Sequence, residues 1–261
     1  MIERALFLGG RLINQSVLSA TSQAGSLPVT NLQEYMPEKK FRALSNVVTI
    51  FVQMPKFVAC DAVALIGHNC TATATFKVRA GPTIASVTDG GTPSLDSGWL
   101  EMWPGGAKPD EEEWPQFSTL GRWSNDTPYS VWSIKIDDRL NPVVVEMGRL
   151  MLDLAFRPKF TVGHNYGVGL ILADVQHRTP FNRLYTDRRG PAARSMALPL
   201  SMVTKRDVWD SFFTLSRLYG LYEDFFVCID PGETVDQHKL MMQAMFADKL
   251  DFESQPVFDG D

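Results

Sequence analysis

The sequence is short of cysteine, of basic charge and of long apolar runs, and each shortage closes off a class of protein. Only three cysteines occur in 261 residues. Cys60, Cys70 and Cys228 form no CxxC or Cys/His ligand spacing, so reduced, buried thiols in a protein made in the cytoplasm are expected rather than a disulfide framework. The 25 basic residues are outnumbered by 30 acidic ones, for a formal net charge of −5. A general nucleic-acid binder needs a cationic surface to displace counterions, which argues against nucleic acid as a partner. No stretch approaches the ~18 apolar residues of a membrane span. Residues 167–173 are among the longest apolar runs and read as a strand. The first ten residues carry a short apolar run behind an acid and lack the extended apolar region of a signal peptide.

What is present is an ordinary folding composition, 44% hydrophobic and 11% aromatic, which excludes disorder as a description of the whole. The length suits one or two domains and allows a core that needs no disulfide or metal. Residues 47–53, 57–66, 73–79, 129–136 and 143–156 are β-branched, aromatic or alternating, the pattern of half-buried antiparallel strands. Between 81 and 126 the chain is rich in Pro, Gly and acids and reads as a long loop. Residues 193–203 and 224–229 predict further strands. A helix is expected over 205–219, with Thr204 as N-cap, Val208, Phe212, Leu215 and Leu218 at helical spacing, and Gly220 as the stop. Residues 238–246 suit either a helix or a strand.

Signatures of catalysis are missing. There is no Gly-x-Ser-x-Gly elbow, no cysteine-protease signature and no phosphate-binding glycine loop. His68, His164, His177 and His238 share no zinc spacing, and His68-Asn69 reads as a polar turn at a strand end, bonding local backbone. Asp89, Asp137 and Asp138 read as turn and loop residues rather than a Ca²⁺ site. The acids at 110–113 read as a solvated loop. No catalytic residue, metal or cofactor is assigned. Two groups of side chains are candidates for binding. Trp99, Trp103, Trp114 and Trp123 crowd one region and would anchor a protein interface, stack on sugar rings, or pin the loop to the core. Arg178, Arg183, Arg188, Arg189 and Arg194 form a basic stretch, with Asp187 the single acid among them. Set against the acidic remainder, they suit either a solvated loop or an interface of a self-assembling ring.

The order of short motifs carries a resemblance. Leu27-Pro28-Val29-Thr30-Asn31-Leu32 precedes Ala64-Leu65-Ile66-Gly67-His68-Asn69, then Arg79-Ala80, then Glu146-Met147-Gly148-Arg149-Leu150-Met151-Leu152, and finally Ile229-Asp230-Pro231. This resembles tail-tip and baseplate structural proteins of long-tailed bacteriophages, which contain a galactose-binding (discoidin-like) β-sandwich. The resemblance implies a mainly β fold, with an antiparallel galactose-binding-like sandwich over 1–157, a loop insertion at 81–126, and a smaller mixed β domain with one helix over 158–261. It implies a structural, non-enzymatic component of the virion tail tip or baseplate, made in the host cytoplasm. Such a component would assemble as a homo-oligomeric ring or with other tail proteins between the tail tube and the receptor-binding parts. The alternative is a carbohydrate-binding module that attaches to host-surface glycan. Where such sandwiches often carry Trp-Arg-Ser, this chain has Ala43-Leu44-Ser45, so no sugar-binding role is carried over to that loop.

Overall fold

The computed structural model describes residues 4–106, 108–109, 117–158, 167–171, 175–178, 184–187, 193–197, 217, 219, 223–234 and 236–246. In the first part of the chain the strands are β1 (Leu6–Gly9), β2 (Val17–Ala20), β3 (Phe41–Arg42), β4 (Val47–Val58), β5 (Ala62–Ile66), β6 (Thr75–Gly81), β7 (Leu95–Glu101), β8 (Ser118–Arg122), β9 (Tyr129–Asp137), β10 (Glu146–Met147) and β11 (Arg149–Asp153). They continue with β12 (Gly167–Ile171), β13 (Val175–Arg178), β14 (Leu184–Asp187), β15 (Ala193–Ala197), β16 (Phe225–Cys228) and β17 (Met241–Ala244). Two one-turn helices, α1 (Arg11–Asn14) and α2 (Ile84–Val87), lie between strands. The fold is mainly β and its sheets are antiparallel, as the alternation in the sequence predicts.

Three layers stack. A five-stranded sheet, ordered β2-β4-β9-β6-β7, faces a three-stranded sheet, β11-β5-β8. Period-two alternation puts Val48, Ile50 and Val52 of β4, Phe76 and Val78 of β6, and Trp132, Ile134 and Ile136 of β9 on one face. Val63, Leu65, Leu150 and Leu152 meet them from the second sheet, closing the main core. The opposite face of that second sheet is also apolar: Ala62, Ala64, Ile66, Leu120 and Met151 pack on Leu6, Leu8, Phe226, Cys228 and Met241. Those residues belong to a third sheet, β1-β16-β17, in which β1 pairs with β16 from Leu6↔Cys228 to Gly9↔Phe225. Chain segments from either side of residue 157 therefore share a sheet. Buried on both faces, β5 reads as an unbroken apolar run because no side of it meets water.

Local chemistry explains the interruptions. Pro55 has no N–H to donate, and the β4–β9 register shifts between Gln53 and Val58. The single strand expected over 143–156 is broken into β10 and β11 at Gly148, where a Cβ would lie 2.1 Å from the Pro37 carbonyl oxygen. The stretch 81–126 is not one loop: α2 covers the outer face of the large sheet with Val87 against Phe51 and Val131, and β7 and β8 are edge strands of the two main sheets. The alternation of β7 is hidden by Gly98, at φ +71°, where the β6–β7 register shifts. Residues 241–244 are a strand. Of the helix expected over 205–219, Arg217 and Tyr219 are helical and the others lie outside the described residues.

After the sandwich the chain runs out through β12 and β13 and returns through β14 and β15. Ladders run from Gly167↔Ala197 to Ile171↔Ala193 and from Val175↔Asp187 to Arg178↔Leu184. Among the described residues each ladder is a two-stranded sheet of its own.

Candidate functional site

The edge strands β7 and β8 border an open groove of about 1310 Å³, lined also by the turn at 231–234 that follows β16. Five separate parts of the chain line it, Asp61 and Arg157 among them. Trp99 and Glu101 come from β7, Arg122 ends β8, Trp123, Asp126 and Tyr129 follow it, and Glu233 comes from the turn. Arg122 fastens the third layer to the groove, its Nη2 donating to the Pro231 carbonyl at 2.8 Å.

Trp99 stands 49% exposed in this groove. The Lys77 ammonium sits 4.9 Å from its ring centroid and that of Lys135 6.0 Å, cation–π contacts that hold the indole in place. Trp123 is half-buried, and its Nε1 donates to the Cys60 carbonyl at 2.9 Å, with its ring 6.1 Å from Trp132. Tyr129 packs edge-on against the same Trp132 at 5.8 Å. Trp123 and Tyr129 are thus fixed by the sandwich core, and Trp99 by two lysines. Carboxylates alternate with them. Asp96 receives Arg79 Nε at 3.0 Å and the Gly98 N–H at 2.9 Å. Burial opposes its charge, but those donors and Lys77 hold its carboxyl below the usual carboxylate range. Glu101 Oε2 accepts from Gly105 N at 3.1 Å.

The four tryptophans expected to act together are divided by the structure. Trp99 and Trp123 line the groove. Trp103 is 3% exposed, edge-on to Phe117 at 5.0 Å, and its Nε1 donates to the Cys70 carbonyl at 3.3 Å. It is a core residue, because the turn after β7 folds it back between the sheets, and it offers no face to a glycan or partner. Trp114 lies outside the described residues. Of the arginines, Arg183, Arg188 and Arg189 lie outside the described residues, and Arg178 is placed by its backbone in β13. Arg194 donates through Nη1 to the Met241 carbonyl at 2.9 Å and through Nη2 to that of Lys239. It roots β15 on the third sheet.

The polar turn at 67–69 is structural. The Cys70 N–H donates to His68 Nδ1 at 3.3 Å, which leaves Nε2–H to donate to Thr119 Oγ1 at 2.9 Å. Thr119 in turn donates to the Met102 carbonyl at 2.6 Å. Burial, then the charge of Lys108, pushes the imidazole down to about 3, so it stays neutral. Asn69 Nδ2 donates to the Val144 carbonyl at 2.9 Å and its Oδ1 accepts from Glu146 N at 2.9 Å. Asp89 pairs with Lys135 at 2.6 Å, Asp137 with Arg139 at 3.2 Å, and Asp138 accepts from Thr71 N and Asn141 Nδ2. Among the described residues, no three His, Cys, Asp or Glu side chains gather into a metal-binding group. All three cysteines are buried and in no disulfide, and burial raises the thiols of Cys60 and Cys70 out of the reactive range.

Sequence reasoning found two of the groove's aromatic residues, but missed Arg122, Asp126 and Glu233. They come from distant segments, and no local spacing announces their meeting.

No family model matches the chain, and no curated protein matches it. Solved structures overlap it in part. CpGH89CBM32-5 from Clostridium perfringens, in complex with GalNAc-β-1,3-galactose, is 7% identical at TM-score 0.40, over 54% of this chain and 98% of that one. The family 32 carbohydrate-binding module of C. perfringens NanJ, in complex with galactose, is 13% identical at TM-score 0.37, over 56% and 98%. Reduced XRCC1 bound to the DNA polymerase β catalytic domain is 12% identical at TM-score 0.39, over 55% and 97%. At these identities and TM-scores the overlaps assign no ligand to this chain.

Proposed function

We propose that this chain is a non-catalytic binding protein whose groove takes a host-surface glycan, at the tail tip of a bacteriophage virion made in the host cytoplasm. The observation that carries the reading is Trp99, half exposed in a preformed groove beside carboxylates and a guanidinium. A pyranose has an apolar C–H face and a rim of hydroxyls. An indole serves the first, and Asp126, Glu101 and Arg122 serve the second. Because Trp123 and Tyr129 are fixed by core contacts and Trp99 by two lysines, binding costs little ordering.

The test is calorimetric titration with galactose- and hexosamine-containing oligosaccharides. The wild type should bind at least one class, and Trp99→Ala should weaken that binding by about tenfold or more, the equivalent of about 1.4 kcal/mol. Absence of binding across the set, or an unchanged affinity in Trp99→Ala, removes the groove as a glycan site.

A second reading is supported by the β12–β15 ribbon, which suits assembly. In that reading the chain is a structural component of the tail tip or baseplate, joining other tail proteins between the tail tube and the receptor-binding parts. Co-purification with the tail proteins of its own particle tests it.

A further inference from the structure

We infer, on the footing of the glycan reading above, that the ligand of this groove is a cationic amino sugar, one whose amine is not acetylated. The donors that line the groove are engaged inside the fold. Trp123 Nε1 donates to the Cys60 carbonyl at 2.9 Å, and Asn125 Nδ2 donates to the same carbonyl at 3.1 Å and to that of Thr127 at 2.9 Å. Arg157 Nη1 donates to Asp61 Oδ2 and to the Ala155 carbonyl, and Arg122 gives Nη2 to the Pro231 carbonyl. Acceptors, by contrast, are left over. Asp61 is balanced by Arg157, and Asp96 by Arg79 and Lys77. Glu101 accepts from the Gly105 N–H, and Asp126 meets the Thr127 hydroxyl at 3.5 Å. Among the described residues neither carboxylate has a cationic partner. With Glu233, the lining carries five carboxylates against the guanidiniums of Arg122 and Arg157. Gln237, also in the lining, is 5% exposed. Its Nε2 donates to the Pro231 carbonyl at 3.1 Å, and its buried Oε1 has no partner among the described residues. A buried amide oxygen without a donor is costly and marks a place where a donor belongs.

The spacing along β7 says where the charge would fall. Trp99 and Glu101 lie two residues apart in regular pairing with β6, so they share a face of the strand, about 7 Å apart along it. A pyranose stacked on the Trp99 indole carries its ring substituents toward the Glu101 carboxylate. An ammonium there brings three N–H donors and a charge opposite to that of Glu101 and Asp126. An N-acetyl group in its place brings one N–H, no charge, and a carbonyl that finds the groove's donors engaged. A uronic acid brings like charge. A neutral sugar covers both carboxylates without a counter-charge, and their desolvation opposes binding. The two lysines at Trp99 do not repel the ammonium as free charges, since Lys77 pairs with Asp96 and Lys135 with Asp89.

The experiment is calorimetric titration with a glucosamine tetramer and its fully N-acetylated counterpart, in low and in high salt, at about pH 6, where a sugar amine holds its proton. The wild type should bind the amine form about tenfold or more tighter, and salt should narrow that ratio by screening. Glu101→Gln/Asp126→Asn, shown to fold by circular dichroism, should bring the ratio to within about twofold. The wild-type salt series decides the matter should that variant bind neither sugar. Trp99→Ala should weaken both. Equal or tighter binding of the acetylated tetramer, a ratio indifferent to salt, or a double variant that keeps the full preference would each overturn the inference and leave the groove a glycan site. Failure of both tetramers and of the galactose-containing set to bind would remove the glycan reading, and the amino sugar with it. Tetralysine bound as tightly as the glucosamine tetramer, with no loss in Trp99→Ala, would also overturn the inference, by reducing the contact to net charge.

Discussion

Replacing Arg149 by alanine is expected to remove about 3–5 kcal/mol of folding stability. The guanidinium is wholly buried where the sandwich meets the third sheet. Its Nε donates to Asp224 Oδ2 at 2.9 Å and its Nη2 to Oδ1 at 2.8 Å, a bidentate pair. Nη1 donates to Asn14 Oδ1 at 2.7 Å and to the Leu32 carbonyl at 3.1 Å. Asp224 also accepts from Gln243 Nε2 at 2.6 Å. Gly10 makes room for this arrangement, since a Cβ there would lie 2.3 Å from Nη2. Alanine leaves the Asp224 carboxylate in the interior without its counter-charge, and that penalty, rather than the lost attraction, dominates. Against a typical total of about 5–15 kcal/mol, it is a large fraction. Urea unfolding followed by circular dichroism reads it as a lower midpoint with an unchanged slope. The double variant Arg149→Met/Asp224→Leu removes both charges and should recover most of the loss. Arg139→Ala, at a surface pair whose arginine is 78% exposed, should stay within about 0.5 kcal/mol of the wild type. The reasoning is refuted if Arg149→Ala lies within about 1 kcal/mol of the wild type, or if the double variant is as unstable as the two single losses summed.

Two buried groups should give stability opposite slopes with pH. Burial and Lys108 push His68 from 6.5 down to about 3, so the unfolded chain binds the extra proton in that window and stability falls as pH drops through it. Burial foremost, with Asp61 adding and the Leu154 N–H opposing, raises Asp153 from 3.8 to about 7. There the folded chain holds the extra proton, so stability falls as pH rises from about 4 to 7. Urea midpoints at about pH 5 and pH 8 should therefore show Asp153→Asn more acid-sensitive than the wild type and His68→Gln less so; equal slopes in all three proteins contradict this. Trp103→Ala should lose about 3–5 kcal/mol, while Trp99→Ala should stay within about 1 kcal/mol, measured by the same unfolding; similar losses would place both indoles in the same environment. A thiol reagent should label no cysteine in the native protein and all three after denaturation, and rapid native labelling would show that Cys60, Cys70 or Cys228 is reached by solvent.

The sandwich was legible where one face of a strand meets the core and the other meets solvent or a thin cover. β6 and β9 alternate for that reason, and their predicted limits lie within two residues of those observed. β4 is harder, since Pro55 interrupts the ladder without ending the strand. β7 was missed because Gly98 adds a left-handed residue that breaks the alternation. β1 was missed for a different reason. Leu6-Phe7-Leu8-Gly9 is four residues long, and the partner that makes it a strand lies more than 200 residues away. The tryptophans show the same limit for side chains. Nothing local distinguishes Trp99 from Trp103; the turn after β7 and the presence of Phe117 across the core decide which one is buried.

Three of the motifs behind the sequence resemblance contain turns whose side chains form hydrogen bonds within the fold. His68 and Asn69 tie the end of β5 to the neighbouring strands, Asn31 Nδ2 donates to the Lys40 carbonyl at 2.8 Å, and Asp230 Oδ1 accepts from Gly232 N at 3.1 Å. Such residues are set by chain geometry, so a shared motif of this kind speaks to a shared fold and leaves the ligand open. The groove is the converse. Glu101 and Asp126 are under no comparable demand from the core, and their chemistry can be chosen for what they touch. The last turn joins the two regimes: Asp230 shapes the bend that carries Pro231 and Glu233 to the groove wall, and Arg122 holds that wall through the Pro231 carbonyl. A residue that never meets the ligand thereby helps to set the shape of the site, although its lining comes from five separate segments.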